Sequence, residues 1–66
     1  MTLQDSFRLF SRLGVDVPAL SNREFSKAYF KLAKRYHPDV GDQPDHDLMA
    51  NINAARTNVL QVYRGA

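Results

Sequence analysis

One stretch of this chain carries cations at a spacing that puts them on a single side of a helix. Arg23, Lys27, Lys31 and Lys34 fall within about 80° of one another at about 100° per residue, with Arg35 at the margin. A solvated helix face accounts for such residues in isolation. Two features argue for more. The face is nearly pure in sign, with only Glu24 opposing at its start. The segment that follows has the opposite sign, carrying Asp39, Asp42, Asp45 and Asp47. A net charge of +2, from nine Lys and Arg against seven Asp and Glu, therefore conceals a dipolar distribution. Clustered charge of one sign steers a partner more than it stabilises a fold. An acidic protein surface is the natural target, and DNA is the other candidate.

His37-Pro38-Asp39 follows at the end of the basic stretch. Each residue has a plain explanation. His37 suits the negative end of a helix dipole. Pro38 stops a helix. Asp39 forms Asx-type turns. Together they make a rigid polar elbow at the tip of a basic helix. A metal site fails on spacing, because a calcium loop beginning at Asp39 would need glutamate where Ala50 stands. Hydrolytic chemistry fails too. No Ser has an obvious base, there is no Cys, and three glycines at 14, 41 and 65 cannot make a phosphate loop. The expectation is a protein that is not an enzyme and uses neither cofactor nor metal.

The elements that position these groups read as helices. Leu3, Phe7 and Phe10 lie within about 60° of one another, flanked by Leu9 and Leu13. Thr2 with Asp5 can cap the start and Gly14 supplies a stop, so helix I is expected over about 3–13. Pro18 then breaks the chain. Ser21 three residues before Glu24 is a capping-box signature. It opens helix II over 22–36, with Phe25, Tyr29, Leu32 and Tyr36 on one face and Ala28 and Ala33 beside them. His37 closes it, because a residue before proline avoids the helical region. A loop over 37–46 has turn-forming residues throughout and is long for a helix–helix connection. Helix III is expected over about 47–63, with the stripe Leu48, Ile52, Ala55, Val59, Val62 and Tyr63. Asp45 or Asp47 can cap it, and Gly65 follows its end.

The chain has 66 residues and no cysteine. That length allows one domain. The missing thiols exclude a disulfide scaffold, zinc fingers and iron–sulfur ligation. At 44% hydrophobic and 24% charged, the composition is that of a globular domain. There is no apolar run long enough to span a membrane and no basic, apolar leader at the N-terminus. The expected setting is cytoplasmic and the expected state monomeric. The fold class is all-α: helices II and III as an antiparallel hairpin, with helix I packed across it.

The residues Lys27-Ala28-Tyr29-Phe30-Lys31-Leu32-Ala33-Lys34-Arg35-Tyr36-His37-Pro38-Asp39 resemble the second helix and signature tripeptide of a J-domain, the module of DnaJ-type co-chaperones. Leu13-Gly14-Val15 resembles the end of that family's first helix. Glu24-Phe25 matches its acidic-then-apolar pair, and Ile52 with Ala55 matches its third helix. The resemblance covers nearly the whole chain. It implies a domain that binds the ATP state of a DnaK-type heat-shock chaperone and stimulates ATP hydrolysis without being the ATPase. By resemblance His37, Pro38 and Asp39 are needed for stimulation. Lys27, Lys31, Lys34 and Arg35 meet an acidic surface on the chaperone, and Tyr29 stands at the edge of the contact.

Several positions depart from the family pattern. Phe30 and Ser26 stand at frequent basic positions, Arg56 at a frequent buried Tyr, and Met49 at a frequent Phe. Val40-Gly41 and the linker with Pro18 are also atypical. Phe30 has two readings: packing against the first linker, which is preferred, or an exposed aromatic that meets the partner. An adaptor of the same fold without ATPase stimulation is the alternative function. DNA binding is disfavoured, because a helix-turn-helix needs a turn of about three or four residues.

Overall fold

The computed structural model describes residues 1–65. It contains three α-helices: α1 over Leu3–Arg12, α2 over Asn22–Tyr36 and α3 over His46–Gly65, with a short 3-10 turn at Val17–Ala19. There is no strand among the described residues.

Each start is chemically specified. The Thr2 hydroxyl accepts from the Asp5 amide at 3.1 Å, and the Asp5 carboxylate accepts from the Thr2 amide at 3.4 Å. Ser21 and Glu24 repeat the exchange for α2 at 3.2 and 3.0 Å. Both are capping boxes, which satisfy amides that a bare helix end leaves open. The same bonds hold the Asp5 and Glu24 carboxyls below the usual carboxylate range. For α3 it is Asp45 that caps, accepting from the Leu48 amide at 3.0 Å.

The ends differ slightly from the sequence reading. Leu13 is the C-cap of α1 rather than its last turn. Gly14 follows at φ 84°, a left-handed conformation that costs glycine little. Its amide donates to Ser11 O at 3.0 Å and the Val15 amide to Phe10 O at 2.8 Å, the paired bonds of a Schellman motif. At the other end of the chain, α3 begins at His46 and runs through Gly65. Gly65, expected just past the helix, is its last residue, a shift within the one or two positions over which helix ends fray.

The core joins all three helices. Phe10, Phe25, Ile52 and Val59 are wholly buried, and each such side chain contributes roughly 1.5–3 kcal/mol relative to exposure. Phe10 meets Phe25 edge-on at 5.0 Å between ring centres, and Phe25 meets Tyr63 at 5.9 Å. The Tyr63 hydroxyl donates to Leu20 O at 2.9 Å, tying the end of α3 to the entrance of α2. Burial, with a smaller push from Glu24, raises that hydroxyl above the ordinary phenol range. α2 and α3 are antiparallel: Phe25 near the start of α2 faces Tyr63, and the loop joins their opposite ends. α1 lies across α3. Buried Ser6 donates to Thr2 O and accepts from Asn58 Nδ2, both at 3.0 Å, so its burial leaves no polar atom open.

Two parts of the core lie outside the helical stripes. Val15 and Val17, in the linker after Gly14, are buried. Met49 is buried beside Ile52, whereas Val62 of the expected stripe is 43% exposed.

Candidate partner-binding site

The loop after α2 is shaped by the helix it follows. A helix end leaves its last four carbonyls without partners. Here the chain turns back and fills them. The amides of Asp42, Gln43 and Asp45 donate to the carbonyls of Lys34, Arg35 and Tyr36 at 3.3, 2.7 and 3.0 Å, and the Gly41 amide donates to His37 O at 2.9 Å. Arg35 Nε adds a side-chain bond to Gln43 Oε1 at 3.3 Å. The loop therefore docks its backbone on the end of α2.

That docking makes Gly41 obligatory. A Cβ there would lie 2.6 Å from Arg35 O and His37 N and 2.7 Å from His37 O. These are backbone atoms and cannot move aside cheaply. In the sequence alone Gly41 is one turn former among several.

The turn projects His37-Pro38-Asp39. His37 leaves the helix at φ −58° and ψ 131°, the extended ψ that a following proline favours. Its Nδ1 accepts from the Asp39 amide at 3.1 Å. The neutral ring then carries its proton on Nε2, as a donor. His37 is half-buried, while Pro38 and Asp39 are exposed. The Asp39 carboxylate takes no hydrogen bond or ion pair from any described residue.

Lys27, Lys31, Lys34 and Arg35 are all exposed on α2. Among the described residues no carboxylate lies within ion-pair distance of them. The acidic loop and the basic face are neighbours in sequence but do not neutralise one another. Tyr29 is half-buried, and its hydroxyl donates to Asn53 Oδ1 on α3 at 2.7 Å. The Arg56 guanidinium lies over the Tyr29 ring at 4.7 Å. Neither Asn53 nor Arg56 stood out in the sequence as part of this surface.

Phe30 corrects the preferred reading. It does not pack on the first linker. It is 61% exposed, and its ring meets Tyr29 edge-on at 5.5 Å. The reason is angular: Phe30 points about 20° from Arg23 on the helix wheel, away from the linker that covers the opposite flank.

The described residues contain no group of three or more His, Asp or Glu placed to hold a metal ion. No helix among them is long and apolar enough to cross a membrane. An open groove of about 660 Å³ lies between the first linker and α2, lined by Leu13, Leu20, Lys27 and Lys31 among others.

A family model of the DnaJ domain matches residues 8–63. The chain belongs to the DnaJ-domain family. This J-domain is 54% identical over 49 residues to the chaperone protein DnaJ of Mycoplasma capricolum, a match over 73% of this chain and 13% of that protein. It is 58% identical over 33 residues to the chaperone protein DnaJ of Methanothermobacter thermautotrophicus, covering 50% of this chain and 8% of the relative. It is 46% identical over 44 residues to the mitochondrial DnaJ homolog 1 of Saccharomyces cerevisiae, covering 59% and 8%. The matched stretch is thus a small part of each relative's length. No solved structure matches the chain. The expected all-α fold, three helices with II and III paired, is that of the family.

Proposed function

We propose that this J-domain is a co-chaperone module that binds the ATP state of a DnaK-type chaperone and stimulates its ATP hydrolysis. One observation carries the proposal: Asp39, whose carboxylate has no cation partner among the described residues, projects from a backbone-docked turn beside a helix face of cations that have no carboxylate partner among them. Surfaces that leave both signs unpaired are arranged for another molecule.

The physics divides the work. The α2 cations speed and orient encounter with an acidic surface, an effect that fades with salt as the screening length falls to about 8 Å at physiological ionic strength. Asp39 pairs with a cation of the chaperone. A charge-assisted hydrogen bond contributes roughly 1.5–3 kcal/mol. Made in only one conformation of the chaperone, it shifts that equilibrium by about tenfold to a hundredfold at 1.4 kcal/mol per decade. His37 holds the turn through the Asp39 amide, and Pro38 fixes the angle between them. The domain supplies no catalytic group of its own.

The test is single-turnover ATP hydrolysis by a DnaK-type chaperone with wild-type domain, His37→Gln and Asp39→Asn. Stimulation by wild type alone is the expected result. Binding without stimulation by any of the three would point instead to an adaptor of the same fold. Absence of both from a folded wild type would end the proposal.

A further inference from the structure

Phe30 is the one aromatic side chain among the described residues left mostly in water. It sits at the edge of the basic stripe, with Lys27, Lys31 and Lys34 within one helical turn and all exposed. Its neighbours one turn away on the other side, Ser26 and Ala33, are small and half-buried, so the ring stands proud of the surface. Among the described residues, one edge contact with Tyr29 is the aromatic packing it makes.

That single contact matters because Tyr29 is itself fixed. Its hydroxyl is bonded to Asn53, and Arg56 covers its ring. Phe30 therefore has a neighbour of set position to lean on. An exposed aromatic with its orientation already biased loses little freedom on binding. Aromatic anchors ringed by charges are the pattern of interface hot spots, with the charges forming the rim.

We infer that Phe30 is a preset aromatic anchor in the interface with the partner, and that the partner offers it an apolar cleft rimmed by carboxylates. The inference rests on the co-chaperone reading and specifies its partner: a chaperone whose acidic surface has an apolar seat, not a uniformly acidic one. The cations argue for the rim, since none of Lys27, Lys31 and Lys34 has an ion-pair partner among the described residues. A lipid surface fits less well. Membrane-binding helices bury a broad apolar face, and the apolar face of α2, with Phe25 and Leu32, is already in the core.

The experiment compares wild type, Phe30→Ala, Phe30→Lys and Asp39→Asn, each confirmed folded by circular dichroism. The readouts are the half-maximal concentration and the maximal extent of ATPase stimulation of a DnaK-type chaperone. Phe30→Ala is expected to raise the half-maximal concentration about thirtyfold, the scale of an aromatic hot spot, and to leave the maximum unchanged. Asp39→Asn is expected to remove the maximum. Phe30→Lys restores charge but not the anchor, so its binding should weaken more steeply with salt than that of wild type. Phe30→Ala within twofold of wild type, where wild type stimulates, overturns the inference while leaving the co-chaperone reading intact. A wild type that neither binds nor stimulates overturns both. Binding to phosphatidylserine vesicles that disappears in Phe30→Ala, with chaperone affinity unmoved, overturns it in favour of a lipid surface.

Discussion

The two connections of this domain are built from similar breakers and do opposite things. The first, between α1 and α2, holds Gly14 and Pro18; the second, between α2 and α3, holds Pro38, Gly41 and Pro44. In the first the side chains turn inward, and Val15 and Val17 are buried against the core. In the second the backbone turns inward, onto the end of α2, and the side chains turn out. Proline and glycine say where a helix ends. Residue type alone does not decide the rest: Val15 and Val17 of the first become core, whereas Val40 of the second is 76% exposed beside Asp39. A connection that gives its valines to the core has fewer side chains to offer a partner. One that docks through its backbone leaves side chains such as Asp39 and Asp42 free.

This contrast is testable in order of expected damage to the fold. Val17→Asp buries an unpaired charge, at a cost of about 3–5 kcal/mol. Against a total of about 5–15 kcal/mol, and this small domain belongs at the low end, that is enough to unfold much of it at room temperature. An unchanged helical circular dichroism signal and melt would remove the first connection from the core.

Gly41→Ala forces a Cβ into three backbone atoms. The cost should be that of overpacking, about 1–3 kcal/mol, together with loss of ATPase stimulation as the turn is displaced. A variant that melts and stimulates like wild type would mean that the docked backbone is not what holds the tip.

Ser21→Ala removes one half of a capping box and should cost about 1 kcal/mol in a chemical-denaturation series. The same box has a pH signature. Glu24 and Asp5 are both held below the ordinary carboxyl range by their caps. Each therefore binds fewer protons folded than unfolded on the acid side. The stability they add is complete above about pH 5 and is lost as pH falls through their lowered values. Glu24→Gln, which can still bond to Ser21, should show a shallower fall of melting temperature on acidification than wild type. An equal slope would relieve Glu24 of that role.

Asp39→Asn should be the mildest change to the fold, within about 0.5 kcal/mol as for exposed positions, while abolishing stimulation. A shifted melt would place Asp39 among structural residues and blur the line between the two connections.

Much of this was readable in the residues. The capping pairs Thr2–Asp5 and Ser21–Glu24 and the Gly14 stop are local signals, and the structure uses each as expected. The amphipathic face of α2 located Phe25 and Leu32. Val17 was not legible as core, because a break marked by Pro18 carries no periodicity to say which way a side chain points. Gly41 was not legible either. Its necessity comes from the approach of Arg35 and His37 backbone atoms, which only the folded turn creates. The side Phe30 faces was legible from the helix wheel, but whether anything would cover it depends on the path of the first linker. Asn53 and Arg56 lie more than twenty positions from Tyr29 in sequence, and no local pattern joins them.

The backbone docking of the second turn has a geometric corollary. Because the carbonyls of Lys34, Arg35, Tyr36 and His37 are all occupied by loop amides, the turn that carries Asp39 is tied on its far side to the end of α2. The basic face is graduated by the 1.5 Å rise of the helix, and the docked turn sets the acidic tip at one further mark beyond its end. A partner touching both is being measured: only an arrangement of its parts with that separation can engage the two marks at once.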